Sequence, residues 1–166
     1  IHPLMAKALQ GIGVEEGAIT QGYGHAPASH GFHSPEGRID GHPFSSCVDL
    51  SWNLRSPAFK ARLVNAGFAP FFRDWSGNEH IHAVYVGARD EGGRITILPG
   101  PRMQIIDYTR GLDGLKGHRP LTGPYAPTPD EETQIRAQYG NWAAHVATRV
   151  LAPGGQQILC YAFYEP

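Results

Sequence analysis

Two cysteines, Cys47 and Cys160, are all that the 166 residues contain, so one disulfide is permitted and none is required. Charge is scarce as well: 17% of residues are charged and the formal net charge is -1, which gives no overall attraction to nucleic acid or to an acidic membrane surface. No apolar stretch approaches the roughly 20 residues of a membrane span, and no secretory leader is visible. The chain begins with Ile1 rather than Met, so localisation stays open. Internal repeats, a phosphate loop and a domain linker are also lacking. What is present is 41% apolar content, which suits a soluble globular domain over residues 1–166 with a sizeable core. The 21 glycines and 14 prolines predict many turns and loops and few long helices.

Periodicity places the elements. Pro3 to Gln10 reads as a short helix with Leu4, Ala8 and Leu9 on one stripe, closed by Gly11 and Gly13. Pro57 to Ala66 reads as a second, with Pro57 in its first turn and Gly67 as its stop. Asp130 to Val150 reads as the longest, its acidic start suiting the helix dipole and Ile135, Tyr139, Trp142 and Val146 giving an apolar face. His145, on or beside that face, reads as structural. Ala18 to Thr20, Val48 to Leu50, Ile81 to Val86, Arg94 to Leu98, Met103 to Ile106 and Gln156 to Tyr164 read as strands. Phe68, Phe71 and Phe72 read as core aromatics, and Trp75 as the best candidate for a cleft wall.

Chemistry concentrates between His42 and His82. His42, Asp49 and His82 offer two imidazoles and a carboxylate, three ligands in the manner of a catalytic zinc site that leaves a position for water. Asp49 lies between Val48 and Leu50 and projects opposite to them on a strand; an unpaired buried carboxylate is costly, so a metal or basic partner is implied. His80 and His82 share one strand face. Strict alternation puts Glu79 on the other face, so Glu79 reaches the same metal only if the chain twists or the strand begins after it. Cys47 is either a fourth ligand or a buried thiol acting as a small hydrophobe. His25, His30 and His33 are either a separate metal site or loop and supporting groups.

This pattern resembles the zinc peptidases that act on bacterial cell-wall peptides: D-alanyl-D-alanine carboxypeptidases, D-Ala-D-Ala dipeptidases and L-alanyl-D-glutamate endopeptidases. In that family a histidine is followed seven residues later by a metal-binding aspartate, here His42 and Asp49, and an acidic base precedes the last histidine ligand by three, here Glu79 and His82. His80 matches a histidine that some members place beside the substrate. Asp40, Ser45 and Cys47 depart from the serine, glycine and alanine that the family often places around its first ligand. The resemblance covers roughly residues 19 to 87.

The resemblance implies a hedgehog/DD-peptidase-like α+β fold, a small antiparallel sheet with helices packed on one face and zinc on the other. It implies zinc held by His42, Asp49 and His82, Glu79 as general base, His80 beside the developing oxyanion, and a peptidoglycan stem peptide or related small peptide as substrate. A periplasmic, secreted or phage-lysin setting follows from the same likeness. An arginine that commonly holds substrate is replaced by Gly24, which tilts the reading towards endopeptidase; Arg38 either substitutes for it or is an ordinary surface arginine. Three other readings compete: a noncatalytic binding or signalling module of the same fold, like the hedgehog signalling domain; a cupin-like metal enzyme; and a domain whose histidines are surface groups. Glu79 speaks against the first, and Val86-Gly87, where a cupin motif wants an acidic ligand, against the second.

Overall fold

The three-dimensional structure, a computed structural model, describes residues 1–24, 31–89, 92–93 and 96–150, with side chains as far as Tyr139. It is an α+β arrangement: helices α1 (Pro3–Gly11), α2 (Pro57–Asn65), α3 (Pro99–Tyr108) and α4 (Pro129–Val150), with strands β1 (Ile19–Gln21), β2 (Gly37–Ile39), β3 (His42–Phe44), β4 (Cys47–Ser51), β5 (Phe68–Arg73) and β6 (His80–Tyr85). A four-stranded sheet has the order β1-β4-β6-β5 and is antiparallel throughout; β2 and β3 form a separate two-stranded sheet.

Local signals account for the helix starts. His2 accepts the Leu4 N–H ahead of Pro3, and the Ser56 hydroxyl accepts the Phe59 N–H ahead of Pro57, each satisfying an orphan donor of a first turn. Thr128 and Glu131 form a reciprocal capping box for α4: Glu131 N–H donates to Thr128 Oγ1 at 3.2 Å, and Thr128 N–H to Glu131 Oε2 at 2.7 Å. Gly67 follows α2 with φ 89°, a backbone conformation that suits glycine.

Alternation on the strands divides the sheet's two faces. Val48, Leu50, Phe68, Ile81 and Ala83 pack with Met5, Leu9, Phe59 and Leu63 of α1 and α2. Cys47, Ala69, Phe71 and Val84 pack on the other side with Ile105 and Tyr108 of α3 and Ile135 of α4. Helices therefore cover both faces, which corrects the expected one-sided packing: the second face combines an apolar part under α3 and α4 with a polar part on β4 and β6. Met103 to Ile106, expected as a strand, lies inside α3, and Thr96 to Leu98 are not strand either. Pro99 sets the first turn of α3, and Pro101, Gln104, Ile105 and Tyr108 are buried at helical spacing. Arg94, Ile95 and the expected terminal strand Gln156 to Tyr164 lie outside the described residues.

Candidate metal centre

Asp49 and His82 stand directly opposite each other on β4 and β6, so their side chains share a face. His33 arrives from the loop after β1, tied back to it twice: its carbonyl accepts the Gly24 N–H at 3.1 Å and its Nδ1–H donates to the Gly22 carbonyl at 2.7 Å. His33, Asp49 and His82 are all buried, and one ligand atom from each lies within 4.8 Å of the other two. Phe32 and Phe71 flank the His82 ring, with centroids at 6.4 and 6.2 Å.

Hydrogen bonding fixes what each ring presents. The Gln104 amide of α3 donates to the Gly114 carbonyl at 3.2 Å, which turns its Oε1 towards His82 Nε2 at 2.9 Å. His82 therefore donates from Nε2, leaving Nδ1 to face Asp49 Oδ1 at 2.8 Å. His33, with its Nδ1–H spent on Gly22, presents Nε2 to the same Oδ1 at 3.3 Å. Neutral rings would thus aim two lone pairs at a carboxylate oxygen, an arrangement that is repulsive unless positive charge sits among them. Protons on both rings supply that charge, or a metal ion does.

Burial disfavours charge on His82. It pushes the His82 imidazole below its usual value, an effect that the neighbouring Asp49 only partly offsets. Burial also works to raise the Asp49 carboxyl, but hydrogen bonds and charge from His33 and His82 outweigh it and hold the group well below the usual carboxylate range. A metal ion requires an ionised aspartate and deprotonated ring nitrogens, and it would take the place of the ring charge that otherwise holds Asp49 down. Each imidazole also donates its other N–H to a carbonyl-type oxygen, the usual support for a ligating histidine. The group can therefore hold a metal ion.

Of the expected ligands, the structure brings Asp49 and His82 together but not His42. His42 is exposed on β3 opposite Ile39, in the other sheet, and His33 completes the cluster in its place. The reason is a tight hairpin: Asp40 (φ 50°) and Gly41 (φ 76°) are both left-handed, reversing the chain immediately before His42. Ser45 and Ser46 then lead into β4, where the Glu36 carboxylate accepts from Ser46 N and Oγ, both at 2.6 Å, and from Leu98 N at 3.1 Å. The Asp-Gly pair was the available signal of this reversal.

Glu79 is exposed just ahead of β6, and its carboxylate accepts the Gly77 N–H at 3.3 Å. Since β6 begins at His80, strand alternation does not bind Glu79. His80, opposite Ser51 and Arg73, lies on the cluster's face, with Nδ1 at 2.8 Å from the Asn78 carbonyl oxygen. Trp75 is exposed and meets the His80 ring edge-on at 5.6 Å. Arg38 is exposed and donates to the Gly41 carbonyl of its own hairpin at 2.6 Å. Cys47 is a buried free thiol whose pKa burial raises well above the usual value, consistent with the hydrophobe reading. His25, His30 and Cys160 lie outside the described residues, as does the His145 side chain.

Sequence reasoning missed His33 as a partner of Asp49, although it singled the residue out in a histidine cluster, and missed Gln104 altogether. No spacing signal links Gln104 to His82, since the contact depends on α3 crossing the sheet. Among the described residues no helix is long and apolar enough to cross a membrane. Compared with known proteins, the chain matches no family model, no curated protein and no solved structure.

Proposed function

We propose that the chain is a zinc-dependent peptidase of the hedgehog/DD-peptidase type acting on cell-wall peptides, with His33, Asp49 and His82 as its metal ligands. The observation that carries the reading is the convergence of two imidazole nitrogens on one carboxylate oxygen with both remaining ring N–H groups engaged. A nitrogen and oxygen donor set of this kind suits zinc, and three protein ligands leave a position for substrate or water. The ion would supply Lewis-acid polarisation of a carbonyl and of water. Glu79 takes the proton from the attacking water and returns it to the leaving amine. His80, on the cluster's face of β6 with its Nδ1–H on the Asn78 carbonyl, donates from Nε2–H, as a doubly protonated ring, to the oxygen on which charge develops. The cell-wall substrate rests on the motif resemblance around Asp49, Glu79, His80 and His82.

The test is to load the protein with zinc and digest purified peptidoglycan and synthetic stem peptides, identifying products by mass. Glu79→Gln should retain zinc and lose about 100-fold to 10,000-fold in turnover. Near-normal turnover at matched zinc content removes Glu79 from its role. A second reading, a noncatalytic zinc module of the same fold, is favoured by the exposure of Glu79 and its place outside the metal-binding group. Full zinc occupancy with no hydrolysis of any peptide selects that module.

A further inference from the structure

The cross-strand row Asp49, His82, Phe71 has a neighbouring row, Ser51, His80, Arg73, on the same sheet face. The two rows are one two-residue step apart, roughly 6–7 Å along the strands. Arg73 is buried, 5% exposed, with its guanidinium 4.9 Å from the Phe71 ring centroid and 5.4 Å from that of Trp75. We propose that Arg73 is the anion-binding residue of this site, holding a carboxylate of the ligand beside the metal-binding group. The proposal rests on the metal-site reading above and assigns the ligand's chemical class.

The argument starts from a contrast between two buried cations. Lys60, also 5% exposed, donates to Glu131 Oε2 and to the Ala126 carbonyl, each at 2.7 Å. Arg73 has ring contacts only: among the described residues no carboxylate lies within ion-pair distance and no acceptor takes a hydrogen bond from it. A buried charge without a hydrogen-bonded protein partner is costly, so its retention beside a polar cluster points to a partner that arrives with the ligand. Unlike Nε of Arg102, no nitrogen of Arg73 is both fully enclosed and without a hydrogen bond, so the fork keeps some access to solvent.

The same surroundings select the anion. Asp49 and Asp113 act on Arg73 by charge at longer range, so a single negative charge fits better than a dianion. The guanidinium lies over the Phe71 and Trp75 rings, and its planar fork carries the paired donors whose geometry matches a carboxylate. Trp75, 44% exposed, offers a wall for the ligand's apolar part. Within the peptidase reading, this favours a substrate with a free C-terminal carboxylate over internal cleavage.

The test compares N-acetyl-D-alanyl-D-alanine with its C-terminal amide, binding to zinc-treated protein being followed by calorimetry and by Trp emission. The acid should bind about tenfold or more tightly than the amide, a difference of about 1.4 kcal/mol or more. Arg73→Gln should abolish that preference at unchanged metal content, and Arg73→Lys should keep part of it. Equal affinities in the wild-type protein, no measurable binding of either probe, or a preference that survives in Arg73→Gln each overturn the assignment. The wild-type comparison needs no variant, so it holds even where Arg73→Gln fails to fold. Metal content measured on the same samples separates the two failures: protein that takes up no metal overturns the metal reading, while its acid-over-amide ratio still judges Arg73.

Discussion

The two faces of the four-stranded sheet are built from alternate residues of the same strands, yet they differ in chemistry. The face under α1 and α2 carries Val48, Leu50, Phe68, Ile81 and Ala83, and its buried residues form one apolar cluster. The opposite face carries Cys47, Ala69, Phe71 and Val84 under α3 and α4, but also Asp49, His82 and Arg73, all buried. Burying a polar group is costly unless it is hydrogen-bonded, so the first face is explained by stability alone. On the second, the Asp49 and His82 hydrogen bonds explain only part: the ring geometry calls for positive charge, and among the described residues Arg73 has no acceptor. One face holds the sheet together, and the other holds what the sheet positions.

The difference breaks most completely at the cluster itself. His33→Ala, Asp49→Ala and His82→Ala should each reduce metal content from near one ion per chain to near none, while His42→Ala keeps it; elemental analysis of purified protein decides. Retention in His33→Ala together with loss in His42→Ala would restore the ligand set expected from spacing. On the other face, Leu50→Ala or Ile81→Ala should cost about 2–5 kcal/mol of stability in urea titrations and leave metal stoichiometry unchanged in the folded fraction. A smaller effect is expected where the faces connect to the helices: Gln104→Leu removes the acceptor that orients His82 and should weaken metal affinity about 10-fold to 100-fold. An unchanged affinity would assign Gln104 to packing only.

The smallest effect is one of pH on metal-free protein. Burial lowers the His82 pKa, so the folded state binds that proton less readily than the unfolded chain, whose value is near 6.5. Stability should then be complete above about pH 6.5 and fall as pH drops through and below it. His82→Gln should reduce this decline without abolishing it, because His2 is lowered by burial in the same direction. A decline of undiminished size in His82→Gln, followed by urea midpoints across the range, would place the titration elsewhere.

Much of the secondary structure could be read from short stretches. Helices α1, α2 and α4 fall within a residue or so of the bounds expected from Pro3, Pro57 and the Asp130-Glu131-Glu132 run, because caps and proline starts act within one turn. Met103 to Ile106 misled because a short apolar run fits either period, and only the α3 packing decided between them. The aromatics Phe68, Phe71 and Phe72, expected only as core, lie on β5, a strand covered on both faces that accommodates them.

For the site, the sequence by itself determined that Asp49 must turn away from Val48 and Leu50 and that His80 and His82 share a face, since strand alternation is a property of adjacent residues. Tertiary structure alone decided which histidine joins them. His42 is nearer to Asp49 in the chain, but the Asp40-Gly41 turn returns it to its own hairpin, while hydrogen bonds to Gly22 and Gly24 carry His33 to the cluster. Gln104 and Arg73 depend likewise on where α3 and β5 lie against β6. Spacing along the chain encodes side-chain direction within one strand, whereas a site that joins a loop, two strands and a helix is fixed by long-range packing and hydrogen bonds that no local pattern contains.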